Sequence, residues 1–227
     1  MSEIEKDEVF LALENADEAE ITFNGEKVSK NICGYFVDKA INKLPLYNVR
    51  KGENVLSVKM PYYRRGSLEW MFLLGDFGVK LAGCEKTITE KPEKIGFGSI
   101  AYQGFPFYGG NITYKLPFEA EEEAMIKVKA STYRGMFMKA TKNGEESENI
   151  AFAPYECRLG KAKLGKNEIK IKLFGNRHNT FACLHNANTA TYYFGPDSWR
   201  SDGDAWGYEY FTKDFGILKS PIITLYK

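Results

Sequence analysis

Hydrophobic and polar residues alternate along most of this chain, and the alternating runs are short. "VFLALE" (9–14) is an apolar strand candidate, and "AEITFNGEKV" (19–28) alternates up to an Asn-Gly turn. "VRKGENVLSVKM" (49–60) alternates after a Gly-x-Asn turn: Val55, Ser57 and Lys59 on one side, Leu56, Val58 and Met60 on the other. The same signals recur in the second half. "MFMKATKNGEES" (136–147) ends in Asn-Gly-Glu, and in "AKLGKNEIKIKL" (162–173) Ile169, Ile171 and Leu173 alternate with lysines. Period-two alternation is the mark of a strand with one wet face. Asn-Gly is a hairpin signal because both residues tolerate positive φ. One stretch departs from the pattern. In "GYFVDKAINKL" (34–44), apolar positions 37, 41 and 44 predict a short helix.

Order strengthens the recurrence. Each half reads NGE, then a G-x-N strand, then Asp-Phe-Gly, at 76–78 and 214–216. Recurrence in one order predicts an internal repeat of two all-β units. A charged stretch with a proline, "EKTITEKPEKIGFG" (85–98), places the boundary, giving units 1–95 and 96–227. The second unit opens with "FPFYGGNITYKLPFEA" (105–120), a strand with no counterpart in the first. A sandwich without that strand has an unpaired edge. The expectation is that the chain is the tail of a longer protein, or that a partner covers the gap.

Asp-Phe-Gly positions magnesium in protein kinases, but its companions are absent. There is no V-A-I-K strand and no H-R-D loop, and "GFGSIAYQG" (96–104) has Ala101 where the last glycine of the phosphate loop belongs. The motif is therefore read as structural. Its glycine ends or bends a strand, its phenylalanine enters the core, and its aspartate satisfies nearby backbone donors.

Lys plus Arg number 31 and Asp plus Glu 30, a net charge of +1, which gives no electrostatic case for nucleic acid. No apolar run approaches a membrane span. The first ten residues, "MSEIEKDEVF", show no signal peptide, so the expected location is cytoplasmic for a full-length chain and secretion remains open for a fragment. Cys33, Cys84, Cys157 and Cys183 lie far apart and read as buried thiols. Aromatic residues reach 15%, which suits strands and also suits flat platforms for sugars or bases.

The stretches "INKLPLYNVRKGENVLSVKMPY" and "LEWMFLLGDFGV" resemble the galactose-binding-like β-sandwich of bacterial glycoside hydrolases, the family 2 sugar-binding type. "FPFYGGNITYKL", "IAFAPYECRL" and "LGKNEIKIKLFGNRHNTFACLHN" resemble the sandwich that follows it in rhamnosidase-like enzymes. The resemblance implies an all-β chain of two tandem jelly-roll sandwiches. It implies a non-catalytic module that packs beside an upstream catalytic domain and holds a glycan or oligosaccharide, although many such sandwiches are spacers.

The candidate site is the insertion "FGNRHNTFACLHNANTATYYFGPDSWRSDGDAWGYEYF" (174–211), absent from the first half. Arg177, His178, Asn179, His185 and Asn186 offer donors and acceptors for hydroxyls. Trp199 and Trp206 offer flat faces, with Tyr192, Tyr193 and Tyr208 beside them. Stacking faces plus planar polar groups are what a sugar site needs. The opposed reading is a loop that folds back and buries its own aromatics. No cofactor is expected. His178, Cys183 and His185 have zinc-ligand chemistry at a non-standard spacing, and Asp202 and Asp204 form an acidic turn that suits calcium only weakly. Tyr102, Phe105, Phe107 and Tyr108 form a second aromatic cluster, read first as strand-edge core. Neither a G-x-S-x-G elbow nor a (β/α)₈ barrel is present, since such a barrel takes about 250 residues. Three functions stay in play: a sugar-binding accessory module, a structural or interaction module, and a small glycan-active enzyme with two facing carboxylates.

Overall fold

The computed structural model describes residues 1–62, 69–145, 147–187 and 202–227. The described chain is all-β, apart from a 3₁₀ turn at Ile100–Tyr102 and a one-turn helix, and forms two compact units, Met1–Pro92 and Glu93–Lys227. Every strand pair is antiparallel.

The first unit holds β1 (Lys6–Leu13), β2 (Glu20–Phe23), β3 (Glu26–Lys27), β4 (Tyr35–Phe36), β5 (Asp38–Val49), β6 (Leu56–Lys59), β7 (Phe72–Leu74), β8 (Gly78–Ala82) and β9 (Glu85–Thr89). One sheet runs β4-β5-β1-β7, another β3-β2-β6, and β8 and β9 form a hairpin. Val9, Leu11 and Leu13 of β1, Leu44 and Leu46 of β5, and Ile21 and Phe23 of β2 make one core.

Residues 34–44, where a helix is expected, form β4 and the start of β5 instead. Leu44 lies opposite Leu11 and Leu46 opposite Val9, all four buried. Pairing with β1 satisfies backbone groups and buries alternate leucines, and it overrides an apolar spacing that equally fits a helix. Val37 has φ 65°, which a helix does not accommodate.

The second unit holds β10 (Ile112–Ala120), β11 (Ala124–Lys129), β12 (Tyr133–Arg134), β13 (Met138–Lys142), β14 (Ser147–Ile150), β15 (Glu156–Ala162), β16 (Gly165–Leu173), helix α1 (His178–Phe181), β17 (Gly216–Ile217) and β18 (Ile222–Tyr226). The sheet β10-β16-β13-β14 and the sheet β15-β11-β18 feed one core. Ile169, Ile171 and Leu173 enter it from β16, and Ile126, Val128 and Leu159 from the other sheet.

Both Asn-Gly pairs are in positive φ, at 53° and 86° for Asn24 and Gly25 and at 47° and 80° for Asn143 and Gly144. That is the type I′ geometry that matches strand twist. Each asparagine then reaches the G-x-N turn of its own unit. Asn24 Nδ2 donates to Asn54 Oδ1 at 3.0 Å, and Asn143 Nδ2 donates to Asn167 Oδ1 at 3.0 Å. The Val55 amide donates to Asn24 Oδ1, and the Glu168 amide to Asn143 Oδ1. Asn54 closes its own turn through the Arg50 amide and carbonyl, and Asn167 does so through those of Lys163. The same two asparagines thus lock hairpin to strand in both units.

The two Asp-Phe-Gly copies differ. Phe77 packs against one core and Phe215 lies within the other, as expected. Each glycine opens a strand, β8 in one case and the short β17 paired with β12 in the other. Asp76, however, pairs with the Lys91 ammonium rather than with backbone donors. That partner holds its carboxyl below the usual range.

Candidate functional site

Beyond β16 the chain leaves the sheet at Phe174 and is held by close backbone contacts. The Gly175 amide donates to Asn111 Oδ1 at 3.2 Å. A side chain on Gly109 would meet the Arg177 backbone and one on Gly175 the Gly109 and Gly110 carbonyls, so Gly109 and Gly175 let two backbones touch. Arg177 turns at φ 58° into α1, and the Thr180 hydroxyl donates to the Phe107 carbonyl at 2.8 Å.

The residues expected to bind sugar are placed differently from one another. Asn179 is buried, with only 4% exposed. Its Nδ2 donates to the Lys213 carbonyl and its Oδ1 accepts the Lys213 amide, both at 2.8 Å. Its amide is committed to pinning the segment that delivers Asp214-Phe215-Gly216. Asn186 is also buried, on an antiparallel bridge with Trp206. The sequence pattern cannot distinguish an inward asparagine from an outward one, so these two were expected at a surface they do not reach.

His185 Nδ1 lies 3.0 Å from the Gly207 carbonyl and 3.1 Å from the Glu209 carbonyl. Two facing acceptors place the hydrogen on Nδ1. Its ring sits 4.6 Å from Tyr210 and 5.8 Å from Trp206. Tyr210 meets Phe107, and Trp206 meets Tyr208 edge-on at 4.6 Å. Most of this aromatic chain is half-buried; Tyr208, 73% exposed, is its solvent end. Arg177 is exposed and His178 half-buried. Burial lowers the His178 pKa, and the Lys213 cation adds to the effect. Trp199, Tyr192 and Tyr193 lie outside the described residues.

Among the described residues no three His, Cys, Asp or Glu side chains converge as metal ligands. His178, Cys183 and His185 therefore do not form a zinc set, and Asp202 and Asp204 stand exposed on their turn.

A second feature was not singled out from the sequence. An open cleft of about 530 Å³ is lined by Phe137, Asn149, Ala151, Phe152, Ala153, Pro154 and Glu156. Phe137 is held flat against Phe174, with centroids 4.4 Å apart and planes 6° apart. The Lys172 ammonium covers the Phe174 ring at 5.0 Å. Phe152 stands 86% exposed. The turn that presents it closes through the Tyr155 amide and the Phe152 carbonyl at 2.7 Å, with Tyr155 at φ 58°. A non-glycine residue in that region is uncommon and is tolerated where the surroundings enforce it. The one sequence signal was the "AFAPYE" run, an aromatic beside a proline.

No known family model matches this chain, and no curated protein matches it either.

Proposed function

We propose that this chain is a non-catalytic accessory module made of two copies of one galactose-binding-like jelly-roll sandwich, and that its second unit holds a glycan weakly in the cleft under Phe152. The duplicated asparagine locks support the two-copy reading, because they repeat turn, register and partner chemistry together.

The observation that carries the glycan reading is Phe152. A large apolar ring on the wall of an open cleft offers a flat face to a ligand. The C–H face of a sugar ring fits it, and Asn149 and Glu156 on the cleft wall offer a donor and acceptors for hydroxyls. The cleft is open, which fits weak binding.

Catalysis finds less support. Among the described residues, the carboxyl groups with a displaced pKa are Asp76 and Glu145, and lysine partners lower both. A glycosidase acid needs the opposite displacement.

A purely structural module is the second reading, favoured by the way Asn179 is committed to the Lys213 backbone. A glycan array decides between them, run on the full chain with Phe152→Ala and Trp206→Ala variants. A hit lost with Phe152→Ala supports the cleft. A hit lost only with Trp206→Ala moves the site to the 174–211 loop. No hit in any form of the chain leaves the structural reading.

A further inference from the structure

We infer that the outer edge of β6 is a docking slot for one extended polypeptide strand of another protein, with apolar residues at alternate positions. The inference is independent of glycan binding.

The two asparagine locks put β6 and β16 in matching places. Leu56, Val58 and Met60 stand where Ile169, Ile171 and Leu173 stand in the second unit. There the three residues are fully buried, at 0% exposure. In the first unit Leu56 is 38% exposed, and Val58 and Met60 are only half-buried.

The difference is a neighbour. β10 lies along β16, with Leu116 opposite Ile169, Tyr114 opposite Ile171 and Ile112 opposite Leu173. β6 ends its sheet, and among the described residues no strand pairs with its outer side. Val55 exchanges both backbone groups with Asn24, its amide to Oδ1 at 2.9 Å and its carbonyl from the amide at 2.8 Å. By strand alternation the N–H and C=O of Leu56 and Val58 point away from β2, to the side on which no described strand pairs. A row of unpaired backbone groups beside half-exposed apolar side chains is a template for a strand.

The chemistry of the occupant follows from the slot. Its inward residues are apolar, opposite Leu56 and Val58. Its outward residues need carry no charge, because Lys59 is already paired with Glu20 at 3.4 Å. A second copy meeting the edge through β6 alone would share four residues a side. That falls well short of the roughly 1,200 Å² that stable association of folded proteins buries. A single strand gains its affinity from main-chain hydrogen bonds and two or three apolar anchors.

The probe is a synthetic peptide with the β10 sequence ITYKLPFEA (112–120), because that segment already fills the matching place beside β16. Amide hydrogen exchange of the full chain is followed with and without the peptide, beside a scrambled control. The expected result is slowed exchange at the Leu56 and Val58 amides with the β10 peptide alone. Leu56→Pro removes an outward N–H, which an edge strand tolerates. It should weaken peptide binding by roughly tenfold, the worth of about one hydrogen bond. Leu56→Lys, a change at a surface-reaching side chain, should weaken binding as well while circular dichroism stays native, and it serves if the proline variant unfolds.

Three results would overturn the inference: Leu56 and Val58 amides as protected in the peptide-free monomer as those of Ile169 and Ile171, no slowing at saturating peptide, or equal binding by the variants. Concentration-dependent protection that tracks a dimer in sedimentation would make a second copy the occupant and overturn the assignment to a foreign strand.

Discussion

The side-chain amide of Asn143 donates to Oδ1 of Asn167 across 3.0 Å, and so ties the hairpin at Gly144 to the turn at Gly165. Asn167 is buried, and its Nδ2 also donates to the Lys163 and Gly165 carbonyls. Asn54 holds the matching place in the first unit but is only half-buried.

Asn167→Ala removes this hub and orphans part-buried backbone groups, so it should destabilise the second unit by about 2 kcal/mol. Asn54→Ala, where water reaches the freed groups, should cost the first unit about 1 kcal/mol. Urea unfolding of each variant, with separate probes on the two units, checks the order. Equal losses would contradict the burial argument.

The four thiols should separate by burial. Cys33 and Cys84 are exposed, and Cys157 and Cys183 are buried. Burial pushes the Cys157 thiol up to about 11, with the Glu148 and Glu156 carboxylates adding to the rise. At about pH 8 Ellman's reagent should therefore titrate Cys33 and Cys84 promptly, and Cys157 only after unfolding, because the thiolate is the nucleophile. The folded thiol holds its proton where the unfolded one, at 9.0, releases it. The contribution of Cys157 to stability is thus full below pH 9.0 and declines as pH rises toward about 11. Cys157→Ala should flatten that alkaline decline in a melting-temperature series.

His178 acts at the other end of the pH scale. Its folded pKa lies below 6.5, chiefly through burial and secondarily through Lys213. The unfolded chain then binds a proton more readily, so its contribution to stability is complete above pH 6.5 and is lost as pH falls below that value. Melting of the second unit followed from neutral to mildly acid pH should show this slope, and His178→Gln should reduce it. An unchanged slope in the variant would place the acid sensitivity elsewhere.

Local turn chemistry was legible because it needs no partner. Asn-Gly takes positive φ by its own covalent nature, and Gly-x-Asn carries a side chain able to close its own turn. The strands after those turns alternate in the sequence and in the fold. The segment 34–44 was misread because an apolar spacing of three and four residues also occurs by chance in a strand, and only β1, some thirty residues away, settles the matter. In the 174–211 loop the sequence shows residue types but not the directions their side chains take. Asparagine looks the same whether it faces a ligand, as expected of Asn179 and Asn186, or a neighbouring backbone, as found for Asn179. The Phe152 cleft is lined mostly by one stretch, Asn149 to Glu156, but it takes its far wall from Phe137, and that partner is not written in the stretch itself.

The sequence by itself determined the all-β class, the hairpins at Asn24 and Asn143, and the strands that follow Gly52 and Gly165, because each rests on the φ preferences and side-chain reach of adjacent residues. Tertiary structure alone decided which strands acquire neighbours. β16 is sealed by β10 and its three apolar residues vanish from solvent, whereas β6, built on the same pattern, keeps Leu56 in water. Burial belongs to the pair of strands and not to either sequence, since backbone hydrogen bonds and apolar faces are completed only by what lies alongside.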